Sequence, residues 1–152
     1  MMDEAIETAA PRAHTPVHLW IVGVVSLLWN AIGAADYTMT AMRHPAVVER
    51  MTAAQMAWVD GFPLWATSAW ALGTWGSVAG SILLLARSRH AVTAFIVSLA
   101  GVAGVTLYQY VVAPPPVEFR GGASLAMSAA IWLIAIALLL YARAMRAKGV
   151  LR

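Results

Sequence analysis

The sequence predicts an all-α protein, an integral membrane four-helix bundle with a short interfacial helical segment between its first and second helices. Three observations predict it. Of 152 residues, 61% are hydrophobic and 11% charged, whereas soluble domains are roughly 45–50% apolar and about 25% charged. Four apolar segments, at about 17–37, 63–86, 91–113 and 123–141, each approach the ~20 residues a helix needs to cross about 30 Å of hydrocarbon. Small residues recur at helical spacing inside these segments, which lets helices approach closely in lipid.

Residues 1–16 are polar, with Pro11 and Pro16, and read as a solvated tail. The first segment follows. Asp3, Glu4 and Glu7 precede it where a secretory leader would be basic, so it reads as a retained span. Gly23, Ser26, Asn30, Gly33, Tyr37 and Thr40 recur along it at steps of three and four, forming one stripe of small and polar residues. Asn30 falls near the middle of the span. Its amide needs partners in hydrocarbon and is expected to face the bundle. Asp36 lies one position off the stripe and near the outer end. There water or an arginine such as Arg43 or Arg120 is within reach.

Residues 38–62 are expected to form an outer loop with one or two short surface helices. Thr52 and Gln55 have the spacing of a capping box, and Gly61 closes the unit. Pro63 suits the first turn of the second span, where its missing N–H is no loss. Ala69, Gly73, Gly76 and Gly80 share one face of that span. Ala94, Ser98, Gly101, Val105 and Tyr108 form a stripe on the third, and Ser124, Ser128 and Trp132 on the fourth. Gly23, Ser26, Gly33, Gly73, Gly76, Gly80 and Gly101 are therefore assigned to helix packing. Trp20, Trp58 and Trp65 are placed at the interfaces. Trp29, Trp70, Trp75 and Trp132 are placed deeper, where each indole N–H needs an acceptor. Residues 143–152 read as a basic tail.

Lys and Arg divide unevenly. Arg12, Arg87, Arg89, Arg143, Arg146, Lys148 and Arg152 fall on one side, and Arg43, Arg50 and Arg120 on the other. The richer side is expected to be cytoplasmic, with both termini there in a bacterial inner membrane. The chain has no Cys, which excludes thiol redox chemistry and thiolate metal sites. His14, His18, His44 and His90 lie in tails, loops or helix starts, without metal-ligand spacing. No nucleophile–base set, phosphate-binding loop or nucleic-acid surface is present in the pattern. The chain is accordingly expected not to be an enzyme, with no cofactor and no metal.

The segments "LWNAIGAADYTMT", "GFPLWATSAWALGTWGSVAGSILLLARSRHAVTAFIVSL" and "LYQY" resemble a family of small four-helix inner-membrane proteins of alphaproteobacteria, sometimes labelled sugar transporters. The resemblance covers most of residues 18–110 and implies a polytopic inner-membrane protein. Two functions then compete. The first is an accessory or assembly protein acting by helix packing, as a homo-oligomer or in a larger membrane complex. The second is a homo-oligomeric transporter of a small, sugar-like solute. Its binding site would comprise Trp29, Asn30, Asp36 and Tyr37, with Trp70 and Trp75 opposite.

Overall fold

The computed structural model describes residues 14–152. The part of the polar tail that carries Arg12 lies outside the described residues. These residues form helices and no strands: α1 (Val17–Ala41), α2 (Pro45–Val48), α3 (Ala53–Asp60), α4 (Leu64–Leu85), α5 (His90–Leu107) and α6 (Gly122–Ala147). A π-helical turn, Tyr108–Val112, continues α5, and a 3-10 turn, Val117–Phe119, precedes α6. Four helices are long and apolar enough to cross a membrane: α1, α4, α6, and α5 with its π-helical turn.

The helix limits differ from expectation where cap chemistry acts. α1 runs past residue 37, and its backbone ladder still closes with the Met42 amide on Thr38 O at 2.9 Å, while the Thr38 hydroxyl returns to the Ala34 carbonyl at 2.6 Å. It stops where Arg43 adopts a left-handed φ of 52°. The Arg43 amide then reaches Thr40 O at 3.1 Å, and the His44 amide reaches Met39 O at 2.8 Å. This is a Schellman closure with arginine in the place glycine usually takes. Pro63 caps α4 from outside rather than entering its first turn.

The expected basic tail is the largest correction. α6 extends to Ala147, and Gly149, at φ 69°, turns the chain back. The Gly149 amide bonds Arg146 O, and the Val150 amide bonds Met145 O, both at 3.0 Å. Val150 and Leu151 then enter the hydrophobic core, and Arg152 exchanges backbone hydrogen bonds with Arg87 and Arg89 in the α4–α5 turn. The sequence conceals this because two apolar residues after a glycine are too short to register as an element. Their burial comes from the groove the helices leave for them.

α4 is the organising helix. It packs most extensively on α5 and next on α1, while α6 leans on α5. Glycines explain the closest pairing. A Cβ at Gly101 would strike the Gly73 nitrogen and the Ala69 carbonyl oxygen, and one at Gly76 would lie 3.2 Å from Ser98 Cα. Backbone therefore meets backbone, and Ser98 donates its hydroxyl to Gly73 O at 2.7 Å. Gly80 lies against the Phe95 ring and Gly23 against Leu85. Ser26 is buried, and its hydroxyl returns to Gly23 O in its own helix at 3.0 Å.

α1 and α6 share no extensive face. They meet at the end that carries the described termini, where His18 Nδ1 and the Tyr141 hydroxyl share a hydrogen bond of 2.6 Å. The core lies at this terminal end: Leu19, Leu84, Val92, Phe95, Leu138, Met145, Val150 and Leu151. Toward the loop end the two helices part.

Candidate functional site

Between the parted helices is a cavity of about 320 Å³. All four long helices line it. α1 supplies Trp29, Asn30, Ile32 and Gly33, and α4 supplies Trp70, Gly73, Thr74 and Ser77. α5 and its π-helical turn supply Val102, Val105, Thr106 and Gln109, and α6 supplies Met127, Ser128, Ile131 and Trp132. Among the described residues, no charged side chain lines it. Its volume is at the lower end of ligand pockets, roughly 300–1,000 Å³, and a mostly apolar wall with a few placed polar groups is their usual character.

The floor is polar and ordered. Asn30, 8% exposed, donates through Nδ2 to Ser81 Oγ at 2.9 Å and Ser77 O at 3.2 Å. A backbone carbonyl only accepts, so the amide orientation is set: both N–H groups point into α4 and Oδ1 remains an acceptor. Below Asn30 a second void of about 40 Å³ reaches toward Phe95 and Leu138 and ends at the core. The walls carry indoles. Trp132 donates Nε1–H to Thr106 Oγ1 at 3.2 Å, and Thr106 donates to Val102 O at 2.7 Å, so the Trp132 ring is held at a fixed tilt. Thr74 and Ser77 turn their hydroxyl protons onto backbone carbonyls of α4. This covers their donors inside an apolar wall.

Gln109 sits in the π-helical turn, and its carboxamide makes no hydrogen bond among the described residues. π-turns insert an extra residue into a helix and recur at functional sites. Here the turn places Gln109 on the cavity and Tyr108 on the loop-end lid.

That lid is an aromatic cluster. Phe62 packs at 4.5 Å (ring centroids) from Tyr108, 4.9 Å from Trp58 and 5.8 Å from Trp70. Trp58 donates Nε1–H to Ala113 O at 2.9 Å, and Tyr108 donates its hydroxyl to Gly61 O at 3.0 Å. The Thr52–Gln55 capping box forms as the sequence reads, starting α3 beneath this cluster. Arg43 and Asp60 form an ion pair at 2.5 Å across the lid.

The structure brings Trp29, Asn30 and Trp70 together on the cavity. It moves the other expected binding residues elsewhere. Tyr37 packs edge-on against Trp70 at 5.1 Å, behind the wall rather than in it. Trp75 is 52% exposed and points away from the bundle. It lies five residues beyond Trp70, about 140° around the helix, so both cannot face the same partner. Asp36 is exposed and joins no salt bridge among the described residues. Arg43 is taken by Asp60, and Arg120 donates to Pro115 O at 2.6 Å. Asp36 lies four residues on from Ile32, so it stands on the flank of α1 just beyond the cavity. Gly33 packs against no other helix among the described residues, since nothing lies within 4 Å of where its Cβ would stand.

Thr74, Ser77, Thr106, Gln109, Met127 and Ser128 were not expected at a site. Ser128 and Trp132 belong to the small-residue step of the fourth span, the one signal that could have marked them. No family model, curated protein or solved structure matches the chain.

Proposed function

We propose that this protein is an integral membrane protein that binds a small uncharged molecule in its bundle and carries it, acting by binding rather than by bond-making chemistry. The carrying observation is the cavity of about 320 Å³ with no charged lining residue, a polar floor at Asn30 and indole walls. A mostly apolar wall with a few placed polar groups is the usual character of a ligand pocket. The excess of Lys and Arg at the terminal end supports a cytoplasmic position for it in a bacterial inner membrane. The resemblance to inner-membrane proteins labelled sugar transporters points to the same class of activity. Full-length protein in lipid nanodiscs, titrated with a panel of neutral solutes and followed by tryptophan fluorescence, tests the reading. Saturable change at one site per chain is expected. No response to any neutral solute, from protein shown to be folded, overturns it.

A second reading, an accessory protein or homo-oligomer held by helix packing, is favoured by α6. Its apolar surface is largely uncovered, with Leu125, Met127, Leu133 and Leu140 each more than half exposed. Cross-linking at native expression tests it, and recovery of monomer alone counts against it.

A further inference from the structure

We infer that the molecule held in this cavity is a neutral, ring-headed amphiphile that comes from the hydrocarbon of the bilayer, passing sideways between α1 and α6. The inference deepens the binding reading above and rests on it.

Both ends of the cavity are covered. Toward the termini stand Phe95 and Leu138, with the core behind them. Toward the loops stands the aromatic lid, tied down by the Trp58 and Tyr108 hydrogen bonds. The side between α1 and α6 is different. Four lining residues there are exposed: Ile32 (71%), Met127 (53%), Ile131 (39%) and Trp29 (37%). A residue that both lines a cavity and faces outward marks its rim. All four are on the two helices that share no extensive face. Gly33 deepens the gap at the same level, with open space where a side chain would stand. In a helix that crosses a membrane, residues at this depth face acyl chains rather than water. The portal therefore opens on lipid.

The chemistry inside selects the head group. Asn30 Oδ1 on the floor is an acceptor, and it asks for a hydroxyl or N–H donor. The Gln109 carboxamide, near the lid, offers a donor and an acceptor. Trp29, Trp70 and Trp132 between them present flat faces to a ring. Among the described residues no lining cation neutralises a carboxylate or phosphate, and Asp36 beside the portal repels one. A ring carrying a hydroxyl group, with an apolar tail left in the portal, meets each of these demands.

The experiment compares three probes on full-length protein in nanodiscs: ubiquinol-1 kept reduced under argon, oleate and glucose. Equilibrium dialysis against empty nanodiscs separates binding from partition into lipid. Saturable uptake of ubiquinol-1 at one per chain is expected, with none for oleate. Gly33→Phe sets a ring at the portal, where a Cβ meets nothing within 4 Å. With its fold checked by size-exclusion chromatography, it is expected to weaken ubiquinol-1 binding or slow its association by about tenfold, which corresponds to ~1.4 kcal/mol. Gln109→Leu is expected to weaken it similarly. Glucose binding without ubiquinol-1 binding, or oleate binding as well as ubiquinol-1, overturns the inference while leaving the binding reading intact. Ubiquinol-1 binding at an unchanged rate and affinity in Gly33→Phe overturns lateral passage. Failure of all three probes, with the neutral-solute panel also silent, overturns both readings together.

Discussion

The terminal half and the loop half of the bundle are made of similar apolar helices and are packed in opposite ways. In the terminal half, Leu19 and Leu84 are fully buried, and the returning Val150 and Leu151 fill what the four helices leave open. In the loop half nothing returns. α1 and α6 part, a cavity opens, and aromatic rings from α3 and the α3–α4 link cover only its end. A four-helix bundle in lipid thus becomes solid or hollow according to what supplements the helices. The glycine-mediated α4–α5 contact runs through both halves and holds the spine constant.

The contrast can be broken first at that spine. Gly101→Val forces a branched side chain into the Gly73 and Ala69 backbone, and it is expected to leave no folded protein by size-exclusion chromatography. A monodisperse, folded variant would show that the α4–α5 contact is dispensable. Next in size, Phe95→Ala in the terminal core is expected to destabilise by about 3 kcal/mol, as large-to-small core changes do. Trp132→Ala, which removes a larger side chain from a cavity wall, is expected to cost less than Phe95→Ala. Equal losses in detergent unfolding would erase the distinction between the halves. Asn30→Leu, at the boundary, removes two hydrogen bonds between α1 and α4 and is expected to cost about 1–2 kcal/mol. Unchanged stability would remove Asn30 from the helix contact. Smallest, Arg43→Gln opens the ion pair on the lid. Both partners are substantially exposed, so the global loss is expected to stay below about 1 kcal/mol. Faster amide exchange confined to residues 45–62 is the accompanying signature, and a rigid lid would contradict it.

Much of the bundle was legible in the sequence. Segment length and apolarity mark the four long helices. The Thr52–Gln55 spacing marks the start of α3, and the glycine steps on α4 and α5 mark the closest contact. Asn30 was legible because an amide in hydrocarbon must find partners, and its stripe shows the direction in which to look. Trp70 and Trp75 were not separable. In water, an outward tryptophan is unfavourable and pattern betrays it; in lipid, both faces of a helix are apolar, so an indole reads the same inward or outward. Gly33 and Gly73 were indistinguishable for a related reason: glycine allows close approach, yet only a neighbour at that height makes one. Asp36 carries a charge but no indication of which arginine is free, and its nearest candidate was already committed to Asp60.

By itself, the sequence determined that the chain is helical, that four of its helices can span a bilayer, and that no charge lies at their centre. These follow from transfer energetics, which depend on residue type and length alone. Only the tertiary structure decided that the bundle is hollow on one side, which three tryptophans line the hollow, and that residues 148–152 return as a plug. Those outcomes depend on how far apart α1 and α6 stand at each height. That separation is set by packing summed over all the helices, a quantity no single segment encodes.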